Sequence, residues 1–340
     1  MDLCQKIIDF YKNAGHNKLC LTSVPSLCAI IIAEGIFNSY FFAGIFIMIA
    51  CIFFQISVQI FDDYIDWIFS KTQKRLELEK TGIRGLYTKS VHFLSDKKLP
   101  RKYFYLAILF AIIAIAIFIA DSIIFNNYMI ILFLLPPLLF FLINYCLKFK
   151  KILNFTGTEF LCAISCSFLT MFCVFYASAK CITMPLAVVA LILYFLIYNL
   201  LYTASLLNLK PDIMTEKSTM PIILKNENIQ FLFSVFLTLF PFVILPIAVY
   251  YEILPKFSLT AEFLIFHSVW FLYLIYLYIK APQKIIKWHF LMGLNKNEVE
   301  NEQKNIGWYT VRYNLFENIF LIFSLILIIT FILQQRAFIY

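Results

Sequence analysis

The fold class predicted by the sequence is an all-α, polytopic transmembrane helical bundle of about nine spans. Three observations predict it. The 340 residues are 62% hydrophobic and only 14% charged, against roughly a half and a quarter in a soluble domain. Apolar runs of about twenty residues, the length a helix needs to cross a hydrocarbon core of roughly 30 Å, recur along the chain. Basic residues gather in alternate connections between those runs, and the two-residue alternation of a β-barrel is absent.

Met1 to Lys18 mixes Asp2, Lys6, Asp9, Lys12 and His16 with apolar residues, which is not the layout of a cleaved signal, and none is expected. Spans follow at about 19–36 and 40–61 and then, after a long connection, at 103–120 and 128–146. The next pair covers about 158–179 and 182–207, and the last three runs are 229–251, 259–279 and 315–334. The connections are too short for a second soluble domain, so residues 1–340 read as one intramembrane domain. The nine cysteines lie mostly in or beside these runs and form no C-x-x-C metal pattern. Cys162 and Cys166, one turn apart, read as small packing residues.

Charge sets the orientation. The segment before the first span, the connection from Asp66 to Lys102, the group Lys148, Lys150 and Lys151, the group Lys210, Lys217 and Lys225, and the stretch from Lys280 to Arg312 together hold 25 of the 28 Lys and Arg residues. The other side has only Lys180, Lys256 and Arg336. The positive-inside rule therefore puts the N-terminus and the basic connections in the cytoplasm, as in a multi-pass protein of the bacterial cytoplasmic membrane. The net charge of +8 faces lipid headgroups or an anionic substrate rather than nucleic acid. The span centres are expected to hold essentially no ionisable side chain, which argues against an ion-coupled transporter and moves chemistry to the cytoplasmic rim.

Two rim connections carry the polar chemistry. On the helix that ends the second span, Asp62 and Asp66 are four residues apart and Asp63 and Asp66 three, so all three project from neighbouring positions. Clustered carboxylates at an apolar helix end repel unless a cation compensates, and hard oxygens suit Mg²⁺ bridged to phosphates. In the second connection Asn208, Asp212 and Glu216 share one face if the helix persists, although Pro211 tends to break it there. Acidic residues among lysines also form solvated surfaces of weak ion pairs. It is the coincidence of two clusters on one side, each at a span end, that favours a site.

With these residues in place the chain resembles the UbiA superfamily of intramembrane prenyltransferases, in order over most of its length. The first motif resembles N-D-x-x-D with a later Asp: Asp62 takes the Asn place, Asp63 and Asp66 match, and Ser70 stands for the later Asp. The second resembles D-x-x-x-D-x-x-x-G-K-x-T: Asn208 takes the first Asp, Asp212 matches, Glu216 replaces Gly, and Lys217 and Thr219 match. Weaker marks are similar to the branch that prenylates dihydroxynaphthoate in menaquinone synthesis: Asn17-Lys18 through Pro25, then Tyr145, Gly157 and Glu159. Ala204 and Ser205 depart from the Asn pair usual in that branch.

The resemblance implies a polyprenyl diphosphate donor, an aromatic quinone-precursor or lipid acceptor, and Mg²⁺ held by Asp62, Asp63, Asp66, Asp212 and Glu216. It implies that Asp63, Asp66, Asp212 and Lys217 are catalytic. Substrate contacts fall to Lys18, Arg84, Lys89, His92, Tyr145, Glu159, Asn208 and Thr219, with Lys217, Arg84 and Lys89 as the cations for phosphate oxygens. Abundant aromatics suit a cavity that shields an allylic cation, though 39 Phe and 20 Tyr also serve packing. The alternatives are a divergent inactive member, a noncatalytic scaffold of a quinone or lipid pathway, or a membrane transporter. A lipid phosphotransferase would need a D-G-x-x-A-R segment, which the chain lacks.

Overall fold

In hydrocarbon an apolar run can satisfy its own amides only as a helix or in a closed barrel, and the described residues contain helices and no strand. The computed structural model describes residues 16–34, 40–68, 74, 77, 100–134, 158–207, 209–215, 219–254, 320–321, 324–325 and 327–332. In chain order the helices are α1 (His16–Glu34), α2 (Phe41–Ile68) and α3 (Pro100–Ile124), then a 3₁₀ segment, Tyr128–Leu134. Next come α4 (Thr158–Ile164), a π-helical segment (Ser165–Leu169) and α5 (Thr170–Ala179). The series continues with α6 (Met184–Leu207), α7 (Leu209–Met214), α8 (Met220–Leu224) and α9 (Glu227–Tyr250).

Among the described residues four stretches are long and apolar enough to cross a membrane: Phe41–Phe61, Phe104–Ile124, Cys162–Ala179 and Met184–Leu206. They coincide with the expected second, third, fifth and sixth spans, and by length and composition they make this a membrane protein. Their surfaces agree. On α3 the exposed side chains include Tyr105, Ile108, Leu109, Ile112, Ile119 and Ile123, spaced by three, four or seven residues along one apolar stripe. A helix apolar on its outward as well as its inward face belongs in lipid.

The chain divides into two units. The first comprises Met1–Thr81, Tyr87–Leu153 and Ser165–Ile182, and the second Gly82–Leu86, Asn154–Ile164 and Thr183–Tyr340. In the first unit α2 packs against α1, α3 and α5, and α1 against α5. With lipid as apolar as the core, close backbone approach and interhelical hydrogen bonds drive such packing. Ala29, Ala33, Ala43, Ala50 and Ala177 are wholly buried. The Ser57 hydroxyl of α2 donates to the Ala107 carbonyl of α3 at 2.7 Å. Gly44 marks the tightest approach, where a Cβ would collide with Ser178 Oγ and lie 3.3 Å from Ile30 Cγ1. Cys166 is buried and accepts the Thr22 hydroxyl at 3.8 Å, a packing role.

Two features depart from the expected spans. Residue 128 opens a 3₁₀ segment rather than an α-helix. The third span also runs past 120, so the apolar stretch Phe104–Ile124 includes Asp121 near its end. Asp121 is 1% exposed and neither of its carboxylate oxygens has a hydrogen-bond partner. The helix end explains its position. Asn126 has φ 52°, the Asn127 N–H donates to the Ser122 carbonyl at 3.0 Å, and the Asn126 N–H to Ile123 at 3.5 Å, which is a Schellman end with Asn in the left-handed place. Such an end sets the side chain after the left-handed residue near the helix's last turn. An apolar pair usually meets there; here the two residues are Asn127 and Asp121. The end of α9 repeats the turn, with Glu252 at φ 58° and Ile253 bonded to the Ala248 carbonyl at 2.9 Å, and puts the usual apolar residue there. Because an unpaired buried charge costs more than an unpaired amide, Asp121→Asn is expected to raise stability by about 1 kcal/mol, read as a higher melting temperature of the purified protein.

In the second unit α6 packs against α4, α8 and α9, and α8 against α7 and α9. α6 is the most enclosed of the four spans, and Leu186, Ile192, Leu193, Ile197, Leu200 and Tyr202 fill the interior. It ends at Leu207, and α7 starts at Leu209.

Candidate functional site

A polar cluster in the second unit gathers where α6 gives way to α7 and α8. Asp212, on α7, is 3% exposed, and the Thr215 hydroxyl donates to its backbone carbonyl at 3.4 Å. α7 ends at Met214, and of the face expected over Asn208, Asp212 and Glu216 only Asp212 is among the described residues. Thr219, 2% exposed, begins α8 in an extended conformation. Its side chain makes no capping bond, and its Oγ1 has no partner.

Glu159 reaches this cluster from α4. It is 5% exposed, and its Oε1 accepts the Met220 N–H at 3.3 Å. Its residue lies before the apolar span Cys162–Ala179. Burial pushes the Glu159 carboxyl above the usual carboxylate range, and the Asp212 charge pushes it the same way. A hydrogen bond from Ser205 and the N–H groups of Glu159 and Met220 pull it back. The other oxygen, Oε2, has no hydrogen-bond partner. Two carboxyls thus lie close enough to repel, at the start of α8 and under cover from water.

Aromatic rings adjoin the carboxyls. Phe160, next to Glu159, meets Tyr194 and Tyr198 edge-on, each at 5.9 Å, and Tyr198 meets Phe233 at 5.8 Å. Tyr198 stands near enough to Glu159 to feel its charge. Tyr202 touches Phe233 at 5.2 Å and donates its hydroxyl to the Gln230 carbonyl at 3.0 Å, fixing α9 against α6. The pattern i, i+4, i+8 at 194, 198 and 202 sets these tyrosines along one side of α6.

The structure therefore brings together Glu159, Asp212 and Thr219 of the expected residues. Asp62, Asp63 and Asp66 lie in the last two turns of α2, within the first unit, and Lys18 lies in α1; their side chains lie outside the described residues. Arg84, Lys89, His92, Tyr145, Asn208, Glu216 and Lys217 lie outside the described residues altogether. Among the described residues no group of three His, Cys, Asp or Glu could hold a metal. Sequence reasoning missed Gln230, 3% exposed, whose Nε2 donates to the Pro221 carbonyl at 2.8 Å. An amide at the start of the apolar run 229–251 was the available signal. Ser205, read only as a departure from the branch, is the hydrogen-bonding neighbour of Glu159.

No protein-family model, curated protein or solved structure matches the chain.

Proposed function

We propose that this chain is a Mg²⁺-dependent prenyltransferase of the UbiA type, a nine-span bundle of the bacterial cytoplasmic membrane with its site on the cytoplasmic side. It moves a polyprenyl group from polyprenyl diphosphate to an aromatic quinone precursor or a lipid acceptor. The observation that carries this reading is the burial of Asp212 and Thr219, from the second motif, beside Glu159. A solvated surface of ion pairs would leave these side chains exposed. The donors that the resemblance assigns to Mg²⁺, Asp62, Asp63, Asp66, Asp212 and Glu216, are hard oxygens of the kind that suits it.

In the proposed reaction the allylic C–O bond breaks and its electron pair leaves with diphosphate; the acceptor then bonds to the allylic carbon and gives up a proton. Bound Mg²⁺ would supply charge stabilisation for the departing diphosphate. Lys217, matched to the second motif, and Arg84 and Lys89, from the long first connection, would meet phosphate oxygens as cations. Phe160, Tyr194 and Tyr198 contribute ring faces and exclude water, both of which an allylic cation needs. Asn208 offers a neutral oxygen where the motif has a carboxylate. Diphosphate release from prenyl diphosphates by the purified protein tests the reading. It is expected with Mg²⁺ and an acceptor and not with EDTA; no release under either condition contradicts it.

A further inference from the structure

Around the start of α8, three buried side-chain oxygens lack partners: Glu159 Oε2, Thr219 Oγ1 and Gln230 Oε1. Two of these side chains are anchored by their other polar atom to the same short turn. Glu159 Oε1 holds the Met220 N–H at 3.3 Å, and Gln230 Nε2 holds the Pro221 carbonyl at 2.8 Å. Thr219 is the residue that starts the turn. The two terminal atoms of a carboxylate or an amide lie only about 2.2 Å apart by ordinary covalent geometry, so the unpartnered oxygens lie near the anchored atoms, around residues 219–221. A buried oxygen left unsatisfied costs about 1–3 kcal/mol, and three of them around one turn call for a common partner.

We propose that Glu159, Asp212, Thr219 and Gln230 form a divalent-cation site in which Glu159 supplies the carboxylate that Asn208 does not. The proposal rests on the transferase reading for its metal. Water would satisfy hydrogen bonds, but it brings no charge to two neighbouring carboxyls. A cation does. Oxygen donors without nitrogen or sulfur select Mg²⁺ or Mn²⁺ over zinc. Neutral oxygens from Thr219 and Gln230 complete a set that has only two acids. The resemblance makes Glu159 a substrate contact and leaves Gln230 without a role. In this assignment both are ligands, and the altered motif keeps its charge through a residue about fifty positions upstream.

Mn²⁺ binding to the purified full chain, followed by electron paramagnetic resonance and by the melting temperature against EDTA at matched ionic strength, tests the site. Wild-type protein is expected to bind Mn²⁺ and melt higher with it. Glu159→Gln and Gln230→Leu should each weaken Mn²⁺ binding at least about tenfold, while a cooperative melt in EDTA shows that each variant folds. Should Glu159→Gln fail to fold, Asn208→Asp in the wild-type background should tighten Mn²⁺ binding. Mn²⁺ binding unchanged in Glu159→Gln and Gln230→Leu, or unchanged in Asn208→Asp, overturns the assignment, as does a wild type that binds no Mn²⁺. Prenyl transfer measured on the same preparation separates the two ideas. Transfer with no effect of the variants on Mn²⁺ removes this site alone, whereas Mn²⁺ binding through Glu159 without transfer keeps the site and removes the transferase reading.

Discussion

Asp212→Asn is expected to lower Mg²⁺-dependent prenyl transfer by at least about a hundredfold, which corresponds to roughly 2.7 kcal/mol of transition-state stabilisation. Asn nearly preserves the volume of a side chain that is buried on α7. The Thr215 contact uses the backbone carbonyl of residue 212 and survives the change. What is lost is an anionic oxygen beside Glu159, and with it the negative charge that would hold a divalent cation there. Folding should be kept, because removing one of two repelling buried carboxyls relieves the other. Steady-state turnover alongside the melting temperature checks both parts: an intact fold with normal turnover removes Asp212 from the site.

Gly44→Val is expected to have the largest effect on the fold. Gly44 lies in α2 where α1 and α5 close upon it, and its missing Cβ is what permits the approach: the added carbon would meet Ser178 Oγ and press on Ile30. The Ser178 hydroxyl already donates to the Val174 carbonyl at 3.0 Å, so moving it aside gives up a bond. Overpacking of this kind costs about 1–3 kcal/mol, and a β-branched residue at a backbone contact falls at the upper end. Gly44→Ala should show a smaller loss in the same direction. Thermal unfolding of the two variants in detergent orders them; a Gly44→Val protein as stable as wild type contradicts the close crossing.

The second, third, fifth and sixth spans were legible because a twenty-residue apolar run has few alternatives to a membrane helix. The extra residues of α3 were not legible: the run stays apolar on both sides of Asp121, and only the left-handed Asn126 shows that the helix continues to a Schellman end. Nor was the π-helical segment, where the Thr170 hydroxyl bonds the carbonyl of Ser165, five residues back, at 2.8 Å. In the candidate site, the spacing singled out Asp212, and Thr219 and Glu159 entered through a resemblance. That Glu159 faces Asp212, and that Gln230 closes on Pro221, depend on how α4, α6 and α9 pack. One-dimensional spacing carries no trace of contacts between residues 61 positions apart, such as Glu159 and Met220.

The transferase account is tested most directly by mass spectrometry of the lipids formed when membranes containing the protein receive polyprenyl diphosphates of several lengths with candidate aromatic and lipid acceptors. The account predicts a Mg²⁺-dependent product with the mass of acceptor plus prenyl group less one hydrogen, absent when the membranes carry Asp212→Asn. Folded wild-type protein that forms no such product with any donor and acceptor pair would contradict it.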